Sequence, residues 1–290
     1  MEMRVFGRTG MQLSVLGFGC GAVGGLMVRG GPLDQERTIA RAISAGVNYF
    51  DTAVQYGNGE SERNLGRVLQ RLKPANVVVG TKVRLPSGDF GRIADAVAKS
   101  LEGSLARLRL DRVDIFHLHN AITEAGGGEA LSVRQVLGDV VPAFERLRRQ
   151  GKTRFLGLTA VGDTAALHQV IDARAFDSAQ VVYNMLNPSA AAGLPTNYPA
   201  QDYGRLFDHT RAAGAGVVGI RVLAGGALSG SAARHPIASS PPEPIGSAMS
   251  YDADVARARG RAQRPDSRQL PQLLRAPRAA TPPPRRPGMR

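Results

Sequence analysis

Val77-Val78-Val79-Gly80-Thr81-Lys82 and Val113-Asp114-Ile115-Phe116-His117-Leu118-His119 are two strand-like runs, each ending on a side chain that can carry a proton. Between them Ile93, Val97, Leu101, Leu105 and Leu108 recur at the spacing of one helix face. A strand, a helix and a second strand in this order form a βαβ unit. Its strands lie parallel because the helix carries the chain back to the starting edge.

The same alternation extends in both directions. Further strand candidates are Leu13–Gly19, Val47–Asp51, Thr153–Thr159, Ala179–Asn184 and Val217–Val222, and Val136, Val140, Val141, Phe144 and Leu147 supply another helical stripe. Glycine after a basic last turn or at a helix end, at Gln150-Gly151 and Ala213-Gly214, marks helix stops before the next strand. The expected fold is α/β, a TIM-type (β/α)8 barrel with about seven of its strands, because an eighth would be needed for closure. A chain of 290 residues with 43% hydrophobic and 21% charged residues can bury one such core.

Composition excludes several classes. One cysteine, Cys20, permits no intrachain disulfide and suits a reducing, cytoplasmic setting. Met1–Thr9 has no apolar stretch behind a basic start, and Ser14–Val28 is too short and glycine-rich to span a bilayer, so neither a secretory signal nor a membrane partner is expected. The net charge of +13 is concentrated at one end: residues 255–290 hold ten arginines and one acid, with seven prolines. Residues 1–250 therefore read as the barrel domain and 251–290 as an Arg/Pro-rich disordered tail that cannot offset its ordering entropy by burial. The tail has no aromatics interleaved with its arginines to stack bases, and no nucleic-acid partner is expected.

Asp51, Lys82 and His119 close three successive predicted strands, and Tyr56 follows Asp51 on the next loop. A parallel barrel gathers those C-terminal ends around one mouth. Singly, each residue has an ordinary reading: a capping Asp, a half-buried Tyr, a solvated Lys, a hydrogen-bonded His. Together and in this order they point to proton transfer. A phenol beside an ammonium is a better acid than a free tyrosine near pKa ~10. His117 lies on the same strand face as His119 but deeper, and no third ligand stands at a spacing that would make the two a metal site.

With these residues in place the chain resembles the aldo-keto reductases. The matching pieces are Phe6-Gly7-Arg8-Thr9-Gly10 with Leu16-Gly17-Phe18-Gly19, Phe50-Asp51-Thr52-Ala53 with Tyr56-Gly57, and Ser61-Glu62 with Leu65-Gly66. They continue with Gly80-Thr81-Lys82, Ser104-Leu105, Val113-Asp114 through His119, Gly151-Lys152-Thr153-Arg154, and Gln180 with Tyr183-Asn184. The resemblance covers roughly residues 3 to 230, and it is the ordered set that is specific. It implies Tyr56 as proton donor, Lys82 as its modulator, Asp51 as the partner of Lys82 and His119 as the group orienting the substrate oxygen.

It also implies NADP or NAD as cofactor and a small carbonyl or sugar as substrate. Thr159, Gln180, Arg221 and Leu223 are the cofactor-binding candidates it yields. Thr159-Ala160 stands where the family carries Ser-Asn, and Gly219-Ile220-Arg221 where it carries an aromatic under the nicotinamide. After Ala224-Gly225-Gly226-Ala227-Leu228-Ser229-Gly230 the family's eighth strand and phosphate loop are not recognisable, which reads as a frameshifted or truncated end. The alternative function, a barrel that binds nucleotide or a partner protein without catalysis, follows from that loss. Gly126-Gly127-Gly128 opens no phosphate-cradling helix and reads as a loop over the mouth.

Overall fold

The structure is a computed structural model that describes residues 1–238, 242 and 250–262. Seven parallel strands form one sheet among the described residues: β1 (Phe18–Gly19), β2 (Tyr49–Asp51), β3 (Val78–Val83), β4 (Val113–Leu118), β5 (Thr153–Thr159), β6 (Ser178–Val182) and β7 (Gly216–Ile220). Their spatial order is their sequence order, each paired with the next. Helices α1 (Pro32–Ser44), α2 (Glu60–Leu72), α3 (Ile93–Leu108), α4 (Val141–Arg149), α5 (Thr164–Asp172) and α6 (Leu206–Ala213) return the chain between strands. This is the (β/α) barrel architecture, open between β1 and β7 among the described residues.

The main core lies between sheet and helices, where Phe116 and Leu118 of β4 meet Leu101 and Leu105 of α3 and Phe144 of α4. The Phe116 and Phe144 rings are 4.8 Å apart. A separate cluster fills the lower end of the barrel, with Phe6, Met11 and Leu13 packed around Tyr49 and Ile115. The first three belong to an N-terminal segment whose hairpin pairs Met3–Val5 with Gln12–Ser14. That segment fastens both flanks of the opening. Ser14 donates its backbone N–H to Asn48 Oδ1 at 2.8 Å beside β2, and Arg8 donates to the Gly214 carbonyl at 2.7 Å and to Asp177 Oδ1 at 3.0 Å beside β6 and β7.

Two sequence expectations need correction. Leu13–Gly19 is not one strand: Gln12–Ser14 belongs to the hairpin, and only Phe18–Gly19 joins the barrel. The break lies at Val15-Leu16-Gly17, where the chain leaves the hairpin for the barrel wall; Gly17 itself allows the Tyr49 ring to come close. The tail also does not lack order from residue 251. Tyr251–Ala262 is a helix, α7, whose Tyr251, Val255 and Ala258 pack against Leu186, Ala224 and Ala227. Three apolar residues at i, i+4 and i+7 are enough to seat a short helix, although arginines surround them. The rest of the expected tail, 263–290, lies outside the described residues. No helix among the described residues is long and apolar enough to cross a membrane.

The strands at the open edges have fewer hydrogen-bonded neighbours than those in the middle. Amide exchange followed by mass spectrometry should therefore find β4 and β5 the slowest segments of the sheet and β1 and β7 the fastest. Equal protection across all seven strands would contradict an open wall.

Candidate active site

Register brings the expected groups together. Asp51 pairs with Gly80 across β2 and β3, and Lys82 pairs with His117 across β3 and β4. Inward positions two residues apart thus stack Tyr49 below Asp51, Gly80 below Lys82 and His117 below His119. Tyr56 comes from the loop after β2, which folds back as a turn with Tyr56 N–H donating to the Ala53 carbonyl at 3.1 Å.

Lys82 is the centre of this arrangement. Its side chain is fully buried, and its ammonium donates to Asp51 Oδ2 at 2.6 Å, the Thr52 carbonyl at 2.8 Å and Tyr56 Oη at 3.2 Å. Three donors meet three acceptors, so no N–H is left without a partner in the low-dielectric interior. Burial opposes the charge on Lys82, but Asp51 and then Tyr56 outweigh it and hold the ammonium above its ordinary pKa. Burial likewise opposes ionisation of Asp51, yet Lys82 keeps the carboxyl below its usual value. Both partners therefore stay charged.

Tyr56 departs from the expectation of a lowered pKa. Burial raises it, and the lowering effect of the Lys82 charge is opposed by Asp51, so the phenol ends above its ordinary value. The phenol is therefore protonated at neutral pH. The His119 ring stands edge-on to Tyr56, with centroids 6.2 Å apart at 88°. Burial lowers the His119 pKa to about 3, with Lys82 adding to the effect, so its imidazole is neutral.

A groove of about 1060 Å³ runs from these residues down beside β1 and β7 to Phe6 and Leu13 at the lower end of the barrel. Asp51, Tyr56, His119, Thr159, Gln180 and Arg221 all line it. Thr159 Oγ1 donates to Gln180 Oε1 at 3.1 Å, and Gln180 Nε2 donates to Asp51 Oδ1 at 2.7 Å, so two cofactor candidates join the carboxylate through one chain of hydrogen bonds. Leu223 does not join them. It is 66% exposed and lies outside the groove lining, because the chain turns away from the barrel after β7 into the Ala224–Ser229 turn. Sequence reasoning missed Tyr49, whose hydroxyl donates to Asp51 Oδ1 at 3.1 Å. The signal available was its position two residues before Asp51 on the same strand face.

His117 is fully buried beneath the site, with Nδ1 3.4 Å from the Thr81 carbonyl and Nε2 3.4 Å from Ser178 Oγ. Burial lowers its pKa from 6.5 to about 4. A histidine with a depressed folded pKa contributes stability that is complete above pH 6.5 and is lost as pH falls toward 4. The difference is worth roughly 3 kcal/mol at most. Urea unfolding of His117→Asn should show a shallower loss of stability between pH 6.5 and pH 4 than the unsubstituted chain. Parallel slopes would mean that the imidazole is not held neutral.

The comparisons agree with the geometry. A family model described as the aldo/keto reductase family matches residues 15–253. The chain is 36% identical over 166 residues to an L-galactose dehydrogenase of Arabidopsis thaliana, covering 56% of this chain and 49% of that one. It is 29% identical over 188 residues to a D-threo-aldose 1-dehydrogenase of a Pseudomonas species, covering 57% and 55%. The matches thus span about half the length of these curated relatives. The holo form of an aldo-keto reductase from Bacillus halodurans superposes with a TM-score of 0.62 at 23% identity, over 91% of this chain and 79% of that one, a likeness of fold. With the barrel, the residues at its mouth and a family match over most of its length, the chain belongs to the aldo/keto reductase family.

Proposed function

We propose that the chain catalyses NAD(P)H-dependent reduction of an aldehyde, ketone or sugar carbonyl to the alcohol, or the reverse oxidation. The observation that carries this reading is the buried Lys82 ammonium joined at once to Asp51 and Tyr56 at the floor of the groove. The names of the two curated relatives favour a sugar-like substrate.

The residues present fit the nicotinamide end of such a cofactor. Gln180 and Thr159 supply an amide and a hydroxyl on the wall beside Asp51, and Arg221 supplies a guanidinium at the same groove. The bound reduced nicotinamide would supply the hydride. Tyr56 Oη holds the proton for the carbonyl oxygen, and Lys82 compensates the negative charge that the phenol gains as the proton leaves. Asp51 keeps Lys82 in place. His119, neutral beside the Tyr56 ring, offers one hydrogen bond to orient the substrate oxygen. A reducing compartment such as the cytoplasm suits this chemistry and the thiol of Cys20.

The non-catalytic alternative, a barrel that binds nucleotide or a partner protein, draws on the gap between β1 and β7 among the described residues. The two readings separate in one experiment. The purified chain is mixed with NADPH or NADH, cofactor fluorescence is followed, and oxidation of the cofactor is then measured with an aldose or a simple aldehyde. Tyr56→Phe should lower turnover by about 10²–10⁴-fold while leaving the cofactor Kd within about threefold. Binding without turnover in the unsubstituted chain would favour the alternative, and no binding at millimolar cofactor would overturn both the enzymatic reading and the nucleotide-binding form of the alternative.

The direction of the reaction sets its pH dependence. Reduction uses protonated Tyr56 and should fall on the alkaline side as the phenol ionises. Oxidation needs the phenolate and should rise over the same range. Because burial raises the Tyr56 pKa, the crossover lies above the ordinary tyrosine range. Rates of both directions measured from neutral to alkaline pH check this; parallel profiles would remove Tyr56 from the proton-transfer step.

A further inference from the structure

The Asp51 carboxylate has two oxygens with different company. Oδ2 faces Lys82 at 2.6 Å, while Oδ1 accepts from Gln180 Nε2 at 2.7 Å and from Tyr49 Oη at 3.1 Å. Tyr49 reaches it from below, where its ring packs among Phe6, Met11, Leu13 and Ile115. The residue is 3% exposed, and burial, followed by the neighbouring Asp51 charge, holds its phenol well above the ordinary tyrosine pKa. It is a permanent donor.

The two strands flanking Tyr49 leave room for it. A Cβ added at Gly17 would meet Tyr49 Cδ1 at 2.8 Å, and one added at Gly80 would meet Tyr49 Oη at 2.8 Å. No side chain but hydrogen fits at either position without moving the ring or its hydroxyl. Packing the barrel floor would need only a phenylalanine, and the hydroxyl adds a polar group that must find an acceptor in the interior. The acceptor it reaches is the carboxylate that fixes Lys82.

We propose that Tyr49 is a positioning residue for the proton-transfer site: its hydroxyl, admitted by Gly17 and Gly80, anchors Asp51 Oδ1 so that Oδ2 stays on Lys82. This rests on Tyr56 being the proton donor. Gln180 is a cofactor candidate as well as an Asp51 donor, so the amide can leave Oδ1 for a bound nicotinamide, and Tyr49 is the partner that remains. Without the Tyr49 donor the carboxylate charge is less dispersed, and its field at Tyr56 becomes more negative. The groups facing Tyr56 and Asp51 from the surrounding elements are Cys20 after β1, Tyr49 on β2, Lys82 on β3, His117 on β4 and His119 at its end, and Gln180 on β6.

The test compares the full chain with Tyr49→Phe, each with and without Tyr56→Phe, so that the ultraviolet titration of the Tyr56 phenol is read as a difference. Removing Tyr49 Oη should move that titration upward by about half a pH unit or more. It should also lower kcat for carbonyl reduction by about threefold to tenfold, with KM nearly unchanged and the alkaline limb displaced upward. Gly80→Ala keeps the phenol but crowds its hydroxyl, and it should shift the Tyr56 titration the same way; it serves if Tyr49→Phe does not fold. An unmoved Tyr56 titration in a folded variant overturns the proposal. Full turnover by Tyr56→Phe would instead strike down the proton-donor reading, with the titration still reporting on Tyr49.

Discussion

A lysine ammonium withdrawn completely from water tolerates little freedom around it. Lys82 is held by a carboxylate, a carbonyl and a phenol, and removing one partner of a buried pair costs about 3–5 kcal/mol because the remaining charge is stranded. The barrel wall is arranged around that requirement. Strand pairing puts Asp51 one pleat from Lys82, the turn after β2 brings Tyr56 over it, and glycines at 17 and 80 leave space for a second phenol beneath. The arrangement is a consequence of satisfying one charge, and the phenol above it stays protonated.

The electrostatics also assign different duties to chemically similar groups. Tyr49 and Tyr56 both touch the Asp51–Lys82 pair and line the groove, but only Tyr56 contacts the ammonium and stands edge-on to His119. His117 and His119 share a strand face, yet one is enclosed between Thr81 and Ser178 and the other stands at the mouth. Depth along the barrel axis, rather than residue type, separates the enclosed His117 from His119 at the mouth.

Much of this was legible in the sequence. Six of the seven barrel strands lie within a residue or two of the runs read from β-branched patterning, because parallel strands buried on both faces need little else to declare themselves. Asp51, Tyr56, Lys82 and His119 were readable because strand ends in a barrel converge. The rest was hidden for physical reasons. The split of Leu13–Gly19 depends on how the hairpin leaves the barrel floor, and α7 offers only three buried apolar residues within an arginine-rich run, with Arg257 and Arg259 donating to the Leu186 and Gly230 carbonyls. Tyr49 looked like core, since nothing in a strand pattern distinguishes a phenol that packs from one that packs and also donates. Leu223 was placed by likeness alone, and the turn after β7 carries it outward.

The N-terminal segment that fastens β2 to the β6–β7 flank has a mechanical consequence. Among the described residues β1 and β7 are unpaired with each other and the sheet is fastened at its N-terminal end, so a change in their spacing would pivot there, with the least travel near the segment and the most at the C-terminal rim. Phe6, Met11 and Leu13 sit at the fastened end, while Gly19, Gly21, Ala22 and Arg221 line the groove. Movement at that rim would leave the apolar packing of Phe6, Met11 and Leu13 around Tyr49 and Ile115 in place.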